Sequence, residues 1–267
     1  MEKELLKKGP VLDEKGRPIP GYSRKSTLVY DRKAIKAPAW RIKEWDFYQI
    51  SNERLCLQFT IGHAAYAGQV SLMLFDFIKG EKLLDLNKIL VLPFGSLHMP
   101  TDAEKDNTLS YEKGGVLMRF QTKNQKRVLT CRWGNVEVKI RLERQNPNSL
   151  VINLPFDEYA RAFYYNHKIN CMTAEGYVKS GDREWRFDRK NSFGILTGAE
   201  ACGPSIMNGT GATEAAGWTE RCSALTWDAA LATPILPART CFFTKARPIS
   251  WGRWTSGWET NIWIPGI

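Results

Sequence analysis

The octapeptide Val136-Glu-Val-Lys-Ile-Arg-Leu-Glu143 decides how the chain is read. Val136, Val138, Ile140 and Leu142 alternate with Glu137, Lys139, Arg141 and Glu143, the period of two expected of a strand with one face buried and the other in water. The same period recurs in Val116 to Gln121, in Arg127 to Trp133 and in Trp40 to Ile50. Turn-prone groups, Ser51-Asn52, Gly134-Asn135 and Ser180-Gly181-Asp182, separate neighbouring strands. Gln69 to Phe77 is apolar on both faces, with Val70, Leu72 and Leu74 on one and Met73, Phe75 and Phe77 on the other, which predicts cover on both sides. Strand follows strand with no long amphipathic helix between. The fold class is therefore all-β, an antiparallel meander closing into a barrel or a β-sandwich.

The 267 residues are 43% hydrophobic and 12% aromatic, enough for a substantial core. No stretch approaches the ~20 apolar residues that span a bilayer, and the charged start MEKELLKKGPVLDEKG lacks the apolar stretch of a secretory signal. The expected location is the cytoplasm. Cysteines 56, 131, 171, 202, 222 and 241 form no Cys-x-x-Cys pair, so neither zinc spacing nor a disulfide scaffold is expected, and no cofactor is implied. The net charge of +10 lies wholly in residues 1–196, with 33 basic and 23 acidic side chains there and five of each beyond. It is scattered, without a Lys/Arg run interleaved with stacking aromatics, which weighs against nucleic acid as partner and favours a solvated basic surface.

Residues 1–24, rich in Lys, Gly and Pro, read as an arm over a β-rich domain of residues 25–196. After Leu196 the texture changes: lysine falls from 19 residues to one, while six of the ten tryptophans and ten threonines appear. Alternation is lost across Thr197 to Gly217, and residues 197–267 read as an irregular tail.

Several motifs place residues 17–196 beside a known family. Lys43-Glu-Trp-Asp-Phe-Tyr48, Ala65-Tyr-Ala-Gly68, Tyr164-Tyr-Asn-His-Lys-Ile-Asn170, Ala174-Glu-Gly176 and Phe193-Gly-Ile-Leu196, in this order, resemble the bacterial proteins of domain of unknown function 2804. In that family the last motif continues as a block like DWGRGVWPF, followed by others like EWYWGNGSGW and ENMFFY-x-GKAHKLG. None stands here as written, but a one-base shift of the coding frame lets Thr197–Ser205 be re-read as WGRGVWPF, Met207–Trp218 as the second block and, with AG-type codons for Arg239, Arg247 and Ser250, Ala238–Gly252 as the third. The resemblance therefore implies a base lost near Leu196 and a tail, 197–267, translated out of frame.

The resemblance also implies a fold similar to the calycin-type double barrels of carotenoid hydratases and tocopherol cyclases, and hence a lipid-like or other apolar small molecule as ligand. An enzyme on such a fold would protonate an alkene, which needs an acid of raised pKa in an apolar pocket; Asp46, Asp76 and Glu175 are the candidate donors. Tyr48 and Tyr66 are candidate polar guides, and Tyr165 and His167, on an aromatic strand, candidate pocket residues. In a simple binding protein the same residues would satisfy hydrogen bonds around the ligand. His63 is a candidate base, although a hydrogen-bonded structural histidine is the plainer reading. His98, near Pro100, reads as loop. With three scattered histidines and no carboxylate cluster, no metal site is expected. Trp45 and Trp133 read as core. There is no Gly-x-Ser-x-Gly elbow, and Gly114-Gly115 lacks the context of a phosphate loop.

Overall fold

The computed structural model describes residues 3–64, 66–156, 159–202, 208–218, 221–231, 238–243 and 248–254, the last four stretches as strand backbone only. In chain order the strands are β1 (Gly9–Pro10), β2 (Gly21–Ser23), β3 (Leu28–Val29), β4 (Ile42–Ser51), β5 (Leu55–Ala64), β6 (Ala67–Asp76), β7 (Glu81–Val91), β8 (Asn107–Lys113), β9 (Val116–Lys123) and β10 (Lys126–Trp133). They continue as β11 (Val136–Arg144), β12 (Leu150–Phe156), β13 (Tyr159–Ser180), β14 (Arg183–Phe187) and β15 (Phe193–Cys202). Beyond these lie β16 (Asn208–Trp218), β17 (Arg221–Leu231), β18 (Ala238–Phe243) and β19 (Pro248–Trp254).

The main sheet is ordered β7-β6-β5-β4-β15-β13-β11-β10-β9-β8, with β12 and β14 also on β13, and β2 on β12. Every pairing in it is antiparallel. The octapeptide is β11, with Val136, Val138, Ile140 and Leu142 buried and the charged residues between them outward. The sheet curls into a half-barrel. Phe120 of β9 meets the ring of Tyr48 edge-on at 4.9 Å and that of Phe59 at 5.9 Å, although β4 and β5 lie several strands away in the sheet. Only curvature brings those strands together, and the gain is a shared apolar core of Leu57, Ile61, Val70, Leu72, Met118, Leu129 and Ile140. The long strand β13 makes the bend: its register slips between Ile169 and Met172, where Cys171 takes φ +56°. Gly176 is required nearby, because a Cβ there would lie 2.0 Å from the carbonyl oxygen of Lys139.

Cover on both faces of β6 is not what the structure has. Val70, Leu72 and Leu74 are fully buried on the concave side, but Met73 and Phe75 are only partly covered and Phe77 is exposed. The curl gives β6 one dry face, and among the described residues no second layer lies over the other.

The first residues are built into the fold. β1 pairs with β3 in parallel, and Val11 and Leu12 join Leu28, Tyr30, Ile35, Val151 and Phe163 in a second apolar cluster. Asn153 ties this segment down by donating to the carbonyls of Val11 (2.8 Å) and Ile19 (2.9 Å). The connection from β7 to β8, residues 92–106, spans the two edges of the main sheet as a strap. The main sheet ends at Cys202, six residues past the composition change at Leu196, and β16–β19 pair among themselves in a separate antiparallel sheet. The remainder of the tail lies outside the described residues.

Candidate functional site

Strand β4 carries Glu44, Asp46, Tyr48 and Ile50 on one face, in phase with the buried Ile42. Antiparallel register extends each position into a row across the concave face. Glu44 stands between His63 of β5 and Glu200 of β15, and Glu200 faces Tyr165 of β13. One row deeper, Asp46 stands between Ile61 and Gly198, and Gly198 faces His167. Deeper again, Tyr48 stands between Phe59 and Leu196, beyond which the face is apolar. The polar rows thus occupy one end of the half-barrel, between the core and the N-terminal segment.

Each group has a distinct environment. Glu44 is buried and accepts from Tyr30 Oη (2.6 Å) and His63 Nε2 (2.9 Å), and it is paired with the Arg32 guanidinium. Burial, aided by the Arg32 charge, pushes His63 down to about 4, so the ring is neutral at physiological pH and serves Glu44 as a donor. Its Nδ1 has no partner. Burial pushes Asp46 up to about 7, against the opposing pull of Arg127. Gly198 makes room for it: a Cβ there would lie 3.1 Å from Asp46 Oδ1. The Tyr48 hydroxyl lies against Arg127 and Thr122, and burial raises its pKa. His167 bonds Ser149 Oγ at 2.9 Å, and burial together with the charges of Arg144 and Arg127 pushes it down to about 3. Tyr165 stacks on Tyr30, centroids 6.3 Å apart, and its phenol is raised by burial and by the nearby Glu200 carboxyl. Glu200 is held well above the usual carboxylate range by burial and by Asp46 and Asp102, and its Oε2 has no partner.

The strap closes over this set. Arg144, at the end of β11, pairs with Glu104 at 2.7 Å, and Ser26 Oγ donates to Asp102 at 3.3 Å. Arg127 donates to the carbonyl of Ala103 at 2.7 Å. Gly95 sits against the Arg32 guanidinium, so the strap also touches the Glu44 cluster.

Of the eight residues nominated from sequence, Asp46, Tyr48, His63, Tyr165 and His167 converge on these rows. Asp76 lies elsewhere, at the end of β6, where it accepts from the backbone N–H of Ile78 and Lys79 and from Arg54 Nε (2.9 Å). Desolvation acts to raise its pKa, but these donors together hold it low, the wrong direction for a proton donor. Glu175 is 45% exposed on the convex face, 3.7 Å from Arg141. It lines a surface pocket of about 240 Å³ with Lys126, Glu143 and Arg189. Tyr66 is 69% exposed at the β5–β6 hairpin, where its carbonyl accepts from Leu92 N as the strap begins.

Sequence reasoning missed Glu44, Arg127 and Glu200. For the first two the signal was present: Glu44 is in phase with Ile42 and Tyr48, and Arg127 with Leu129 and Cys131. A charged residue at an inward position of a strand cannot be an ordinary surface charge.

Among the described residues no three His, Cys, Asp or Glu side chains stand where they could hold a metal ion. Cys56 and Cys131 are buried, and burial pushes their thiols up to about 11 and about 12, far from nucleophilic use. No helix among the described residues is long and apolar enough to cross a membrane.

Comparison of structures finds the same fold in an AttH-type protein of Nitrosomonas europaea, at 12% identity and TM-score 0.50, covering 79% of this chain and 68% of that one. Kievitone hydratase from Nectria haematococca follows at 8% identity and TM-score 0.48, covering 78% and 63%. At 12% identity the likeness to the first is one of fold. No curated protein matches the sequence. The family described as "Domain of unknown function (DUF2804)" matches residues 2–198, most of the chain and all of the concave face except its last strand residues, and the chain belongs to that family.

Proposed function

We propose that the half-barrel binds a small, largely apolar molecule at the polar rows of its concave face, oriented by Asp46, Tyr48 and Arg127. One observation carries this reading: polar groups from β4, β5, β10, β13 and the strap converge inside a face that is otherwise apolar, and two buried polar atoms there, Arg127 Nε and His63 Nδ1, lack partners. Buried polar atoms without partners are costly in a finished core and expected in a binding site. Saturable, one-to-one quenching or enhancement on titration with a polyene fluorophore tests the reading. Non-saturable uptake, or uptake unchanged in Tyr48→Phe and Asp46→Asn, counts against it.

A second reading, acid catalysis at the same place, is favoured by Asp46 alone. A carboxyl that titrates near neutrality inside an apolar site can donate a proton to a bound alkene and take it back. Turnover that depends on Asp46 would separate it from simple binding.

The reading rests on residues before Leu196. The family match ends at residue 198, within two residues of the proposed frame change. Glu200 fits that proposal: a buried carboxyl with an unpartnered oxygen is the local conflict expected where the sequence was not selected for the position. The re-read block WGRGVWPF contains no carboxylate.

A further inference from the structure

We propose that Arg127 is the anchor for a carboxylate on the bound molecule, so that the ligand class is an apolar monocarboxylic acid rather than a neutral lipid or hydrocarbon. The inference rests on the binding reading above and narrows it.

Arg127 is 1% exposed, the largest fully buried side chain among the described residues. It projects from β10 in the same row as Thr122 of β9 and Leu142 of β11. Its donors meet only uncharged partners: Nη2 the carbonyl of Ala103 (2.7 Å), Nη1 the carbonyl of Gln125 (3.3 Å) and the sulfur of Met172 (3.7 Å). Nε is buried and has no partner. Among the described residues no carboxylate lies within ion-pair distance of it, whereas the other two arginines of the cluster are matched, Arg32 with Glu44 and Arg144 with Glu104. A guanidinium stays charged at any physiological pH, and a charge taken out of water is retained where something compensates it. Neutral carbonyls do so only in part.

The surroundings select for a carboxylate. The Tyr48 hydroxyl lies within hydrogen-bond reach of the Arg127 guanidinium and can turn its own O–H toward an anion held there, adding a donor to a charge-assisted contact. Asp46 lies within electrostatic reach but beyond ion-pair contact, and burial keeps its carboxyl protonated below about pH 7, when it no longer competes for Arg127. Around the head group the walls are apolar, formed by Phe120, Met172 and Leu142.

The test uses the full chain at pH 6 and two probes that differ only in the head group, a fluorescent polyene fatty acid and its methyl ester. The expected result is that wild-type protein binds the acid at least about tenfold more tightly than the ester, the difference made by one charge-assisted pair. In Arg127→Met the preference for acid over ester disappears, and in Arg127→Lys part of it remains. Equal binding of acid and ester by wild-type protein overturns the carboxylate anchor and leaves the apolar site standing. A preference that survives in a folded Arg127→Met, checked by circular dichroism, also overturns it. Binding of neither probe overturns both readings. The wild-type comparison decides even if Arg127→Met fails to fold.

Discussion

Replacing Asp46 by Asn tests the site through stability alone, without knowledge of the ligand. In the folded protein the carboxyl titrates at about 7, against 3.8 in a solvated chain. An acid whose pKa is raised by folding holds its proton in the native state while the unfolded chain releases it. Its ionisation therefore destabilises the fold progressively as pH rises from about 4, and the penalty is complete above about 7. Roughly three pH units at ~1.4 kcal/mol each give about 4 kcal/mol as the upper bound. Asp46 keeps some solvent access, which reduces this to ~2–3 kcal/mol. More than half of that change falls between pH 5 and pH 8. Urea unfolding at both values should show the stability of Asp46→Asn relative to wild type growing by ~1–2 kcal/mol from pH 5 to pH 8. His63 and His167, neutral in the fold and protonated in the unfolded chain below about 6.5, weaken both proteins in acid and cancel in the difference. If the two proteins differ by the same amount at both pH values, Asp46 is solvated and ionised in the native state, and its place in the site is lost.

Phe120→Ala removes the ring that links the two sides of the curl, and a loss of about 3–5 kcal/mol in urea unfolding is expected; less than ~1 kcal/mol would mean that Phe120 does not bridge β4 and β9. Gly176→Ala should abolish or severely reduce soluble expression, since its Cβ would meet the Lys139 carbonyl; a wild-type melting temperature would contradict the close approach of β13 and β11. Asp76→Asn should weaken the β6–β7 turn by about 1–2 kcal/mol and leave probe binding unchanged, whereas an altered affinity would return Asp76 to the site. Sequencing the gene around codon 196 should reveal a base missing relative to close relatives, and an intact frame there would end the frame-change proposal.

Much of the fold was legible because strand alternation is a local property. The period of two in Val136–Glu143 and Val116–Gln121 needs no knowledge of partners, and β11 and β9 stand where it places them. The polar residues of the site were legible only in part. Asp46, Tyr48, Tyr165 and His167 were found through family motifs, while Arg127 and Glu44 were recoverable from phase alone. Asp76 and Glu175 looked equivalent to Asp46 as isolated carboxylates, since nothing in the sequence distinguishes a turn cap or a convex-face ion pair from a buried acid.

The sequence by itself determined the strands whose alternation is clean, such as β9 and β11, with the face of each that is apolar, and where the composition of the chain changes. The tertiary structure decided what those faces meet. Curvature of the sheet sets Phe120 of β9 against Tyr48 of β4, and the strap between the sheet edges brings Ala103 to Arg127 and Glu104 to Arg144. Alternation is set by backbone geometry within a few residues, whereas the environment that moves a pKa or strands a charge comes from groups distant in sequence, and only the closed fold brings them together.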